Sequence, residues 1–313
     1  MKCSYCSNRA IIRILHKHIW LCKKCFVRYF ESKFLKVLEE VNRNYGLKGK
    51  HIVVSTSGGK DSLNALYLLN KYSDNYGYTV EAIFVNEGIG EYRLKTLKTL
   101  LDFCQRFKID YTILDMKKEL GYYVSEVVEL YLKGKFEYKP CTVCGVFRRY
   151  IVNKYALSVK ADYVATGHNL DDEIQTFFMS LLRGDLSSIA REGLITEKSS
   201  EYFVPRIKPL YYIYEKESLT YALLMKLKVE PKRCPFSIYS MRFPIRKFIN
   251  RLEYVSPGIK ENLFKEKERI RKYLKNIIKT PKLKRCIRCG MPTLHDLCRA
   301  CYFIELIEKA KSQ

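Results

Sequence analysis

The sequence of 313 residues predicts an α/β fold, in which a parallel, Rossmann-like sheet is flanked by two small cysteine-rich modules. Short β-branched runs alternate with amphipathic segments along the middle of the chain, and glycines and hydroxyl residues follow the first run. Paired CxxC motifs occur near both ends. Because this length exceeds one compact domain, we expect an N-terminal module with a linking helix at 1–45, a central domain at 46–280 and a C-terminal module at 281–313.

The charge balance points to an acidic partner. Lysine and arginine number 57 against 33 aspartates and glutamates, which gives a net charge of +24. Nucleic acids are the first candidates for such a surplus, although an anionic membrane surface would attract it too. No apolar run approaches the roughly 20 residues that span a bilayer, and polar residues interrupt every apolar stretch of a possible secretory signal. We therefore expect a cytoplasmic protein with no membrane partner.

Hydrophobic periodicity predicts the helices and strands in order. A helical stretch at 26–44 leads to the β-branched run 51–56, which is typical of a buried strand. Further strands are expected at 79–85, 110–114 and 161–166, and further helices at 92–107 and about 170–182. Strands that alternate with helices predict right-handed crossovers and a parallel sheet covered on both faces. Ligands of such a sheet bind at the carboxyl ends of its strands.

The pattern weakens after Gly184, where six prolines break the chain into short pieces. A helix resumes near Asn262, and Pro281 is expected to end it. Its apolar positions, expected on one face, are Leu263, Ile270, Leu274 and Ile277. Its basic positions, expected elsewhere on the helix, are Lys265, Lys267, Arg271, Lys272 and Lys275.

The sequence SGGKDS follows the first predicted strand, which contains Ser55, and opens a helix. Backbone N–H groups and the helix dipole bind phosphate at such a position, and glycines let the main chain approach closely. The expected contacts come from Ser55, Ser57, Gly58, Gly59, Lys60, Asp61 and Ser62. The loop is not a Walker A motif, since Val54 stands where that motif needs a glycine. An ordinary glycine-rich turn before a helix is the alternative.

SGGKDS resembles the pyrophosphate loop of the N-type ATP pyrophosphatases, which cleave ATP between the α and β phosphates and adenylate their substrates. A second signature, GHNLDDE at 167–173, agrees with this resemblance, and its Asn169 is a fair N-cap. In that family the segment lies beside the nucleotide, which implies nucleotide contacts for Gly167 and a role for Asp171 in Mg²⁺ binding or substrate positioning. Asp172 and Glu173 are equally well explained as partners of the helix dipole.

Eight cysteines form two paired CxxC motifs. In a reducing cytoplasm, metal binding explains them better than disulfides. Their spacing suits two closed tetrahedral Zn²⁺ sites, each of which would substitute for a core too small to fold unaided. The expected ligands are Cys3, Cys6, Cys22 and Cys25 in the first module and Cys286, Cys289, Cys298 and Cys301 in the second. His16, His18 and His295 lie inside the loops and are expected to be solvated rather than ligands.

Four cysteines lie outside these modules. Cys104 continues an apolar helical stripe and is expected to be a core thiol. Cys141 and Cys144 precede a pair of arginines, and Cys234 lies in a turn of sequence RCP. Three thiolates among cations indicate reactive or cluster-bound sulfur. Three cysteine ligands would leave one iron of a [4Fe–4S] cluster without a protein ligand, and that iron could carry a sulfide.

The two zinc modules, SGGKDS, the CxxCG motif with two arginines, GHNLDD and the RCP cysteine together resemble the tRNA 2-thiouridine synthetases over nearly the whole chain. The terminal modules favour these enzymes over the related cytidine-thiolating ones. The resemblance implies that ATP, with Mg²⁺, adenylates uridine O2 and that sulfur then displaces AMP at C2. It also implies that Cys141, Cys144 and Cys234 ligate the cluster and act in catalysis with Lys60 and Asp171.

The implied partners are tRNA, modified at uridine 34 or 54, and a sulfur donor that is either free sulfide or a ubiquitin-like protein with a C-terminal thiocarboxylate. The zinc modules and the basic helix would hold phosphates while the target nucleotide is flipped out. A homodimer is expected, as in many relatives. Three alternatives stay open. They are a cluster-free enzyme with Cys141 and Cys234 as a persulfide and resolving pair, an adenylating enzyme that transfers an amine, and a non-catalytic zinc RNA-binding protein.

Overall fold

A five-stranded parallel sheet forms the centre of the protein, whose computed structural model describes residues 1–196, 201–230, 233–278 and 283–312. The described strands are β1 (Ile12–Ile14), β2 (Ile19–Leu21), β3 (His51–Thr56), β4 (Thr79–Asn86), β5 (Asp110–Asp115), β6 (Tyr163–Thr166), β7 (Arg206–Ile207), β8 (Lys284–Arg285) and β9 (Pro292–Thr293). The central order is β5-β4-β3-β6-β7, and every neighbouring pair is parallel. Antiparallel ladders β1-β2 and β8-β9 lie in the terminal modules. The expected α/β fold is confirmed.

Helices surround the sheet. The described α-helices are α1 (Lys23–Tyr45), α2 (Lys60–Tyr76), α3 (Gly90–Phe107), α4 (Met116–Leu120), α5 (Val124–Leu132), α6 (Pro140–Ser158), α7 (Leu170–Leu182), α8 (Leu186–Arg191), α9 (Glu215–Leu224), α10 (Arg242–Val255), α11 (Ile259–Ile277) and α12 (Arg299–Ser312). Helix α7 and strand β3 have the predicted bounds. Sequence periodicity does not predict α6, in which apolar and polar residues are mixed around the axis. Pro281, expected to end α11, lies outside the described residues. None of the described helices is both long and apolar enough to cross a membrane.

Two hydrophobic cores cover the opposite faces of the sheet. Ile52 and Val54 of β3 pack into a core with α1, α2, α3 and α9, whereas Val53 between them packs into a core with α4, α5, α6 and α12. This alternation follows from the two-residue repeat of a strand, and burial on both faces is typical of a parallel sheet. The N-terminal module therefore lies on one face and the C-terminal module on the other. The domain bounds at 45 and 280 stay a prediction.

Helix α11 differs from the prediction in which of its faces is buried. Lys267, expected on a basic surface, is fully buried and pairs with Glu173 at 2.7 Å, while Ile270 and Ile277 are exposed. Arg271 is also engaged, by Glu268. Glu173 also pairs with Lys208 at 2.6 Å, so Lys267 adds a second cation to this buried carboxylate, and its own charge is compensated there. Glu173 is thus an internal ion-pair partner, and its position in the first turn of α7 keeps the dipole contact as well.

The order of the sheet creates a crevice at its carboxyl edge. From β3 the chain continues to β4 and β5 on one side, and β6 and β7 lie on the other. The loops that follow β3 and β6 therefore leave neighbouring strands in different directions, and such a point is where open α/β sheets bind ligands.

Candidate active site at the carboxyl edge of the sheet

The loop between β3 and α2 is a tight turn closed by its own hydroxyl groups. Ser62 Oγ donates to the carbonyl of Gly59 at 2.9 Å and accepts from the amide of Ser57 at 3.1 Å. Gly59 is the N-cap of α2 and supplies no side-chain acceptor, so the first amides of this helix are left for an anion. Ser55 lies inside β3, in register with Thr166 of β6. It is a neighbour of the loop rather than part of it.

Two glycines bring the loop against neighbouring elements. Gly58 has a φ of +76°, and a Cβ there would lie 2.4 Å from the carbonyl oxygen of Thr96 on α3. A Cβ on Gly167, after β6, would lie 2.6 Å from the amide nitrogen of Ser62. Any larger residue would separate these segments. The SGGKDS loop and the GHNLDD segment are therefore in direct contact at the crevice.

Lys60 and Asp61 form the charged end of the loop. Lys60 Nζ pairs with Asp61 at 2.7 Å and with Glu215, at the start of α9, at 3.1 Å. Burial alone would lower the pKa of Lys60, but these two carboxylates outweigh it and raise that pKa. Burial, and then the charge of Asp172, raises the pKa of Asp61, whose Oδ1 has no hydrogen-bond partner among the described residues. A buried, unpartnered carboxylate oxygen beside a phosphate loop fits a hard cation such as Mg²⁺.

Asp171 is already engaged by protein groups. It is buried, one carboxylate oxygen pairs with Lys260 of α11, and the other accepts from the amide of Glu215 at 2.8 Å. It therefore joins α7 to α11 and α9. Asp172 forms a capping box with Asn169, as its interpretation as a helix-dipole partner predicts.

Three cysteines from distant parts of the sequence meet near the start of α6. Cys141 and Cys144 lie in its first turns, and Cys141 Sγ donates to the carbonyl of Phe236 at 3.1 Å. Cys234 precedes a 3₁₀ turn, Pro235–Tyr239, that packs on α6. Burial raises the pKa of all three thiols, and Cys234 adds to the rise at the other two, so each lies within range of its neighbours' charge.

This cysteine trio is more widely spaced than a site for a single ion. Among the described residues, the sets of histidine, cysteine and acidic side chains whose ligand atoms all lie within 4.8 Å of one another are the two terminal tetrads. The trio is not one of them. Thiols that face one region at a wider spacing fit a cluster, which is larger than one ion and is held by thiolates.

A buried arginine connects the SGGKDS loop to the helix that carries two cysteines of the trio. Arg93 of α3 donates to the carbonyl of Ser57 at 3.2 Å and pairs with Glu87, which follows β4. The other oxygen of Glu87 lies 3.6 Å from Nη1 of Arg148 on α6. Although burial lowers the pKa of Arg148, the charges of Cys144 and Glu87 outweigh it and raise that pKa. One hydrogen bond and two ion pairs thus connect the loop to Arg148, which lies on the same helix as Cys141 and Cys144.

The terminal modules bring their thiols together as expected. Cys6 Sγ lies 3.6 Å from the Sγ atoms of both Cys22 and Cys25, and the Sγ atoms of Cys289 and Cys298 are also 3.6 Å apart. Four sulfurs at about 2.3 Å from a central ion, in a tetrahedron, would be about 3.8 Å from one another. Both tetrads therefore fit a closed Zn²⁺ site.

His16 departs from the expectation of a solvated loop residue. Its ring stacks on Tyr214, with centroids 4.3 Å apart and planes at 16°, and burial lowers its pKa. The reason is that the 3₁₀ turn Leu15–Lys17 packs the N-terminal module against the start of α9. His18 and His295 are exposed, and Cys104 is buried in the core as predicted.

Comparison with known proteins agrees with this geometry. A sequence model of the PP-loop domain matches residues 28–230. A probable sulfurtransferase of Methanocaldococcus jannaschii is 35% identical over 99% of this chain and 89% of its own length. A tRNA-5-methyluridine(54) 2-sulfurtransferase of Pyrococcus horikoshii is 34% identical over 97% of this chain and 93% of its own. The chain belongs to the PP-loop family of tRNA 2-thiolation sulfurtransferases.

A solved structure of this sulfurtransferase family has the same architecture. The U34-tRNA thiolase NcsA of Methanococcus maripaludis, with its [4Fe–4S] cluster, superposes with a TM-score of 0.82 at 33% identity, and the match covers 97% of this chain and 96% of that one. The family resemblance and the enzyme class predicted from the motifs are confirmed.

Some site residues of this sulfurtransferase-family chain are not predicted by its motifs. A sequence signal exists for Glu87, since this residue follows a predicted parallel strand at the edge of the sheet where ligands bind. Glu215 and Lys260 carry none. Lys260 meets Asp171 across 89 residues of chain, and no local pattern indicates such a pairing.

Proposed function

We propose that this protein 2-thiolates a uridine in tRNA, by adenylating O2 at the expense of ATP and then transferring sulfur to C2. The proposal rests on the connection between the SGGKDS loop and the cysteine trio at the carboxyl edge of the sheet. Gly167 packs on the phosphate loop, and Arg93, Glu87 and Arg148 connect that loop to the cysteine trio. An activated base held between them would be within reach of both chemistries.

In the first step the protein's role is to bind and neutralise phosphates. Uridine O2 attacks the α-phosphorus of ATP and pyrophosphate leaves, so negative charge moves toward the leaving group. The open amides at the start of α2 and the ammonium of Lys60 are suited to stabilise it. Asp61 would hold Mg²⁺ through its unpartnered oxygen. Asp171, with both oxygens engaged, would position α9 and α11 instead.

In the second step a sulfur nucleophile adds to C2, and AMP departs with the original O2. A [4Fe–4S] cluster held by Cys141, Cys144 and Cys234 would supply an iron without a protein ligand, at which sulfide can bind. Phe236 fixes Cys141 through its carbonyl, and Arg148 places a positive charge beside the trio. That charge favours anionic sulfur at this place.

The remaining assignments follow from composition and from the relatives. The terminal tetrads would each bind one Zn²⁺ ion and, with the surplus of +24, would help to hold tRNA. Because thiols that bind metal must stay reduced, the cytoplasm is the expected compartment. The relatives from Pyrococcus horikoshii and Methanococcus maripaludis act on different uridines, 54 and 34. Mass spectrometry of tRNA from a deletion strain would identify the position modified by this protein. The sulfur donor, sulfide or a thiocarboxylate carrier protein, and a homodimeric state complete the proposal.

Anaerobic purification and a thiolation assay test the proposal. We expect a brown protein with about four irons per chain beyond the zinc and a broad absorption band near about 400 nm. Cys234→Ala should lose thiolation at least about 100-fold while it still forms AMP-uridine, and Lys60→Ala should lose both steps. Cys104→Ala, which changes a buried thiol outside the site, should retain both.

Each alternative predicts a different result. A colourless, fully active protein would favour a persulfide mechanism without a cluster. Retention of activity in Cys234→Ala would favour transfer of an amine. If tRNA binds but ATP is never consumed, the protein is a zinc RNA-binding protein and the proposed function is wrong.

A further inference from the structure

Two arginines near the cysteine trio have no acidic partner among the residues that the structure describes. Neither guanidinium group, that of Arg149 on α6 or that of Arg206 on β7, makes a hydrogen bond or ion pair within the described part of the chain. Both side chains are reached by solvent, yet burial lowers the pKa of both, and the charges of Arg206 and Arg148 add to the lowering for Arg149, to about 10. A side chain on the wall of a cleft is reached by solvent and is also partly desolvated by the atoms around it.

The local structure holds the two arginines together. Arg206 is paired in register with Val164, which packs into the core on the α6 side. The side chains of Arg206 and Val164 therefore project from the face of the sheet that α6 covers. A Cβ on Gly145 would lie 3.2 Å from Nη1 of Arg149. Gly145 therefore leaves room for Arg149 to fold back along α6 toward Cys141. Two like charges with no described carboxylate between them destabilise a protein, which indicates that an anion completes the site.

We propose that Arg149 and Arg206 bind a backbone phosphate of the RNA strand that carries the target nucleotide. This inference rests on the proposed function, because it places that strand at the cysteine trio. Guanidinium groups recognise phosphate through two parallel hydrogen bonds, and two of them can hold one phosphate from both sides.

The position of the pair favours RNA over ATP as the source of this phosphate. The nucleotide loop follows β3, and β7 lies two strands away, at about 10 Å for a spacing of about 4.8 Å. Helix α6 also runs from the cysteine trio to the C-terminal module, since α12, the helix of that module, packs on α6. A strand with its base at the trio would pass over Arg149 and Arg206 on its way to that module.

The test measures the binding of an unmodified, fluorescently labelled tRNA transcript by the full-length, metal-loaded protein over a range of salt concentrations. We expect Arg149→Gln/Arg206→Gln to raise the Kd for tRNA at least about fivefold and to reduce the slope of log K against log salt by about one. ATP affinity should be unchanged. Arg149→Lys/Arg206→Lys should restore the salt slope, because each lysine keeps its charge.

Arg43→Gln/Lys48→Gln is the matched control. It removes the same charge from two exposed side chains near the opposite, amino end of β3. An equal loss of tRNA affinity in this control, or an unchanged Kd and slope in the arginine variant, would overturn the inference. Loss of ATP affinity with intact tRNA binding would assign the pair to the nucleotide and would also overturn it. Thiolation by the wild-type protein is measured separately, so failure of the proposed function and failure of this subsite are told apart.

Discussion

Glu87 is the carboxylate at which the two halves of the candidate site meet. It is 2% exposed and lies between the guanidinium groups of Arg93 and Arg148. Arg93 is as deeply buried and also contacts the phosphate loop through Ser57. A buried ion pair of this kind is stable only while both partners are present, because removal of one leaves the charge of the other buried and uncompensated.

We therefore expect Glu87→Gln to lower the free energy of unfolding by about 3 kcal/mol, since it leaves the buried guanidinium group of Arg93 without its anion. Glu91→Gln is the control, because Glu91 pairs with Lys95 on the surface and is 86% exposed in its side chain. Such a pair contributes about 0.5 kcal/mol. Urea denaturation of the two metal-loaded variants measures the difference. Equal stabilities would contradict the role given to Glu87.

At this scale the sequence predicts residues that have a local pattern. SGGKDS, GHNLDD and the cysteine pairs were readable because their spacing carries the chemistry. The partner of a buried charge has no such pattern. Lys267 seemed to belong to a basic surface of α11, yet it pairs with Glu173 across 94 residues of chain. Only the packing of α11 on α7 decides which lysine is turned inward.

Helix α1 is fixed to the central domain by one of its own carboxylates. Glu31, buried on α1, accepts hydrogen bonds from Lys71 and Tyr72 of α2 and from Tyr221 of α9, at 2.6 to 2.8 Å. Burial alone would raise the pKa of Glu31, but these donors outweigh it and lower that pKa below its ordinary value of 4.5. The contact therefore stabilises the folded state through the ionised carboxylate.

The sign of the pH dependence follows from that shift. Because the folded pKa is the lower one, the stabilisation is complete above pH 4.5 and is lost as the pH falls through the folded value. We expect Glu31→Gln to lower the free energy of unfolding by about 2 kcal/mol at neutral pH, and the difference from wild type to shrink below pH 4.5. Glu39→Gln, on the exposed face of the same helix, is the control. A difference that grows in acid would contradict this interpretation.

Elements with a clear period were predicted well, and short elements were not. Strand β3 and helix α7 begin and end where the sequence predicts. Strand β7 has two residues, and a two-residue strand shows no alternation. Its place is set by pairing with β6, which is a property of the sheet. The position of Arg206 in the sheet, and with it half of the proposed phosphate site, therefore could not be predicted from the sequence.

For the molecule as a whole, the two cysteine modules occupy opposite faces of one sheet. The N-terminal module continues into α1, which packs with α9, and the C-terminal module continues into α12, which packs on α5 and α6. In each tetrad the last cysteine lies in the first turns of the helix that follows. A metal ion in the C-terminal tetrad would therefore fix the start of α12. Helix α12 in turn packs on α6, which carries Cys141 and Cys144.

The Cys298→Ser variant tests whether the two cysteine modules stabilise the two faces of the sheet independently. Cys298 is buried, and its Sγ lies 3.6 Å from that of Cys289. We expect the variant to bind one zinc ion fewer per chain, because a hydroxyl is a poor substitute for a thiolate ligand, and binding of metal is coupled to folding in such small modules. Hydrogen exchange should accelerate in α12 and then in α6, and remain unchanged in α1.

The control for this experiment is Cys104→Ser, which makes the same chemical change at a buried thiol that belongs to neither tetrad. It should keep the full zinc content, and any destabilisation should appear around α3. If Cys298→Ser keeps its zinc, or if α1 loosens together with α12, the two modules are not independent metal sites. Loss of iron in Cys298→Ser, together with faster exchange in α6, would show that the C-terminal module supports the cysteine trio through this helix.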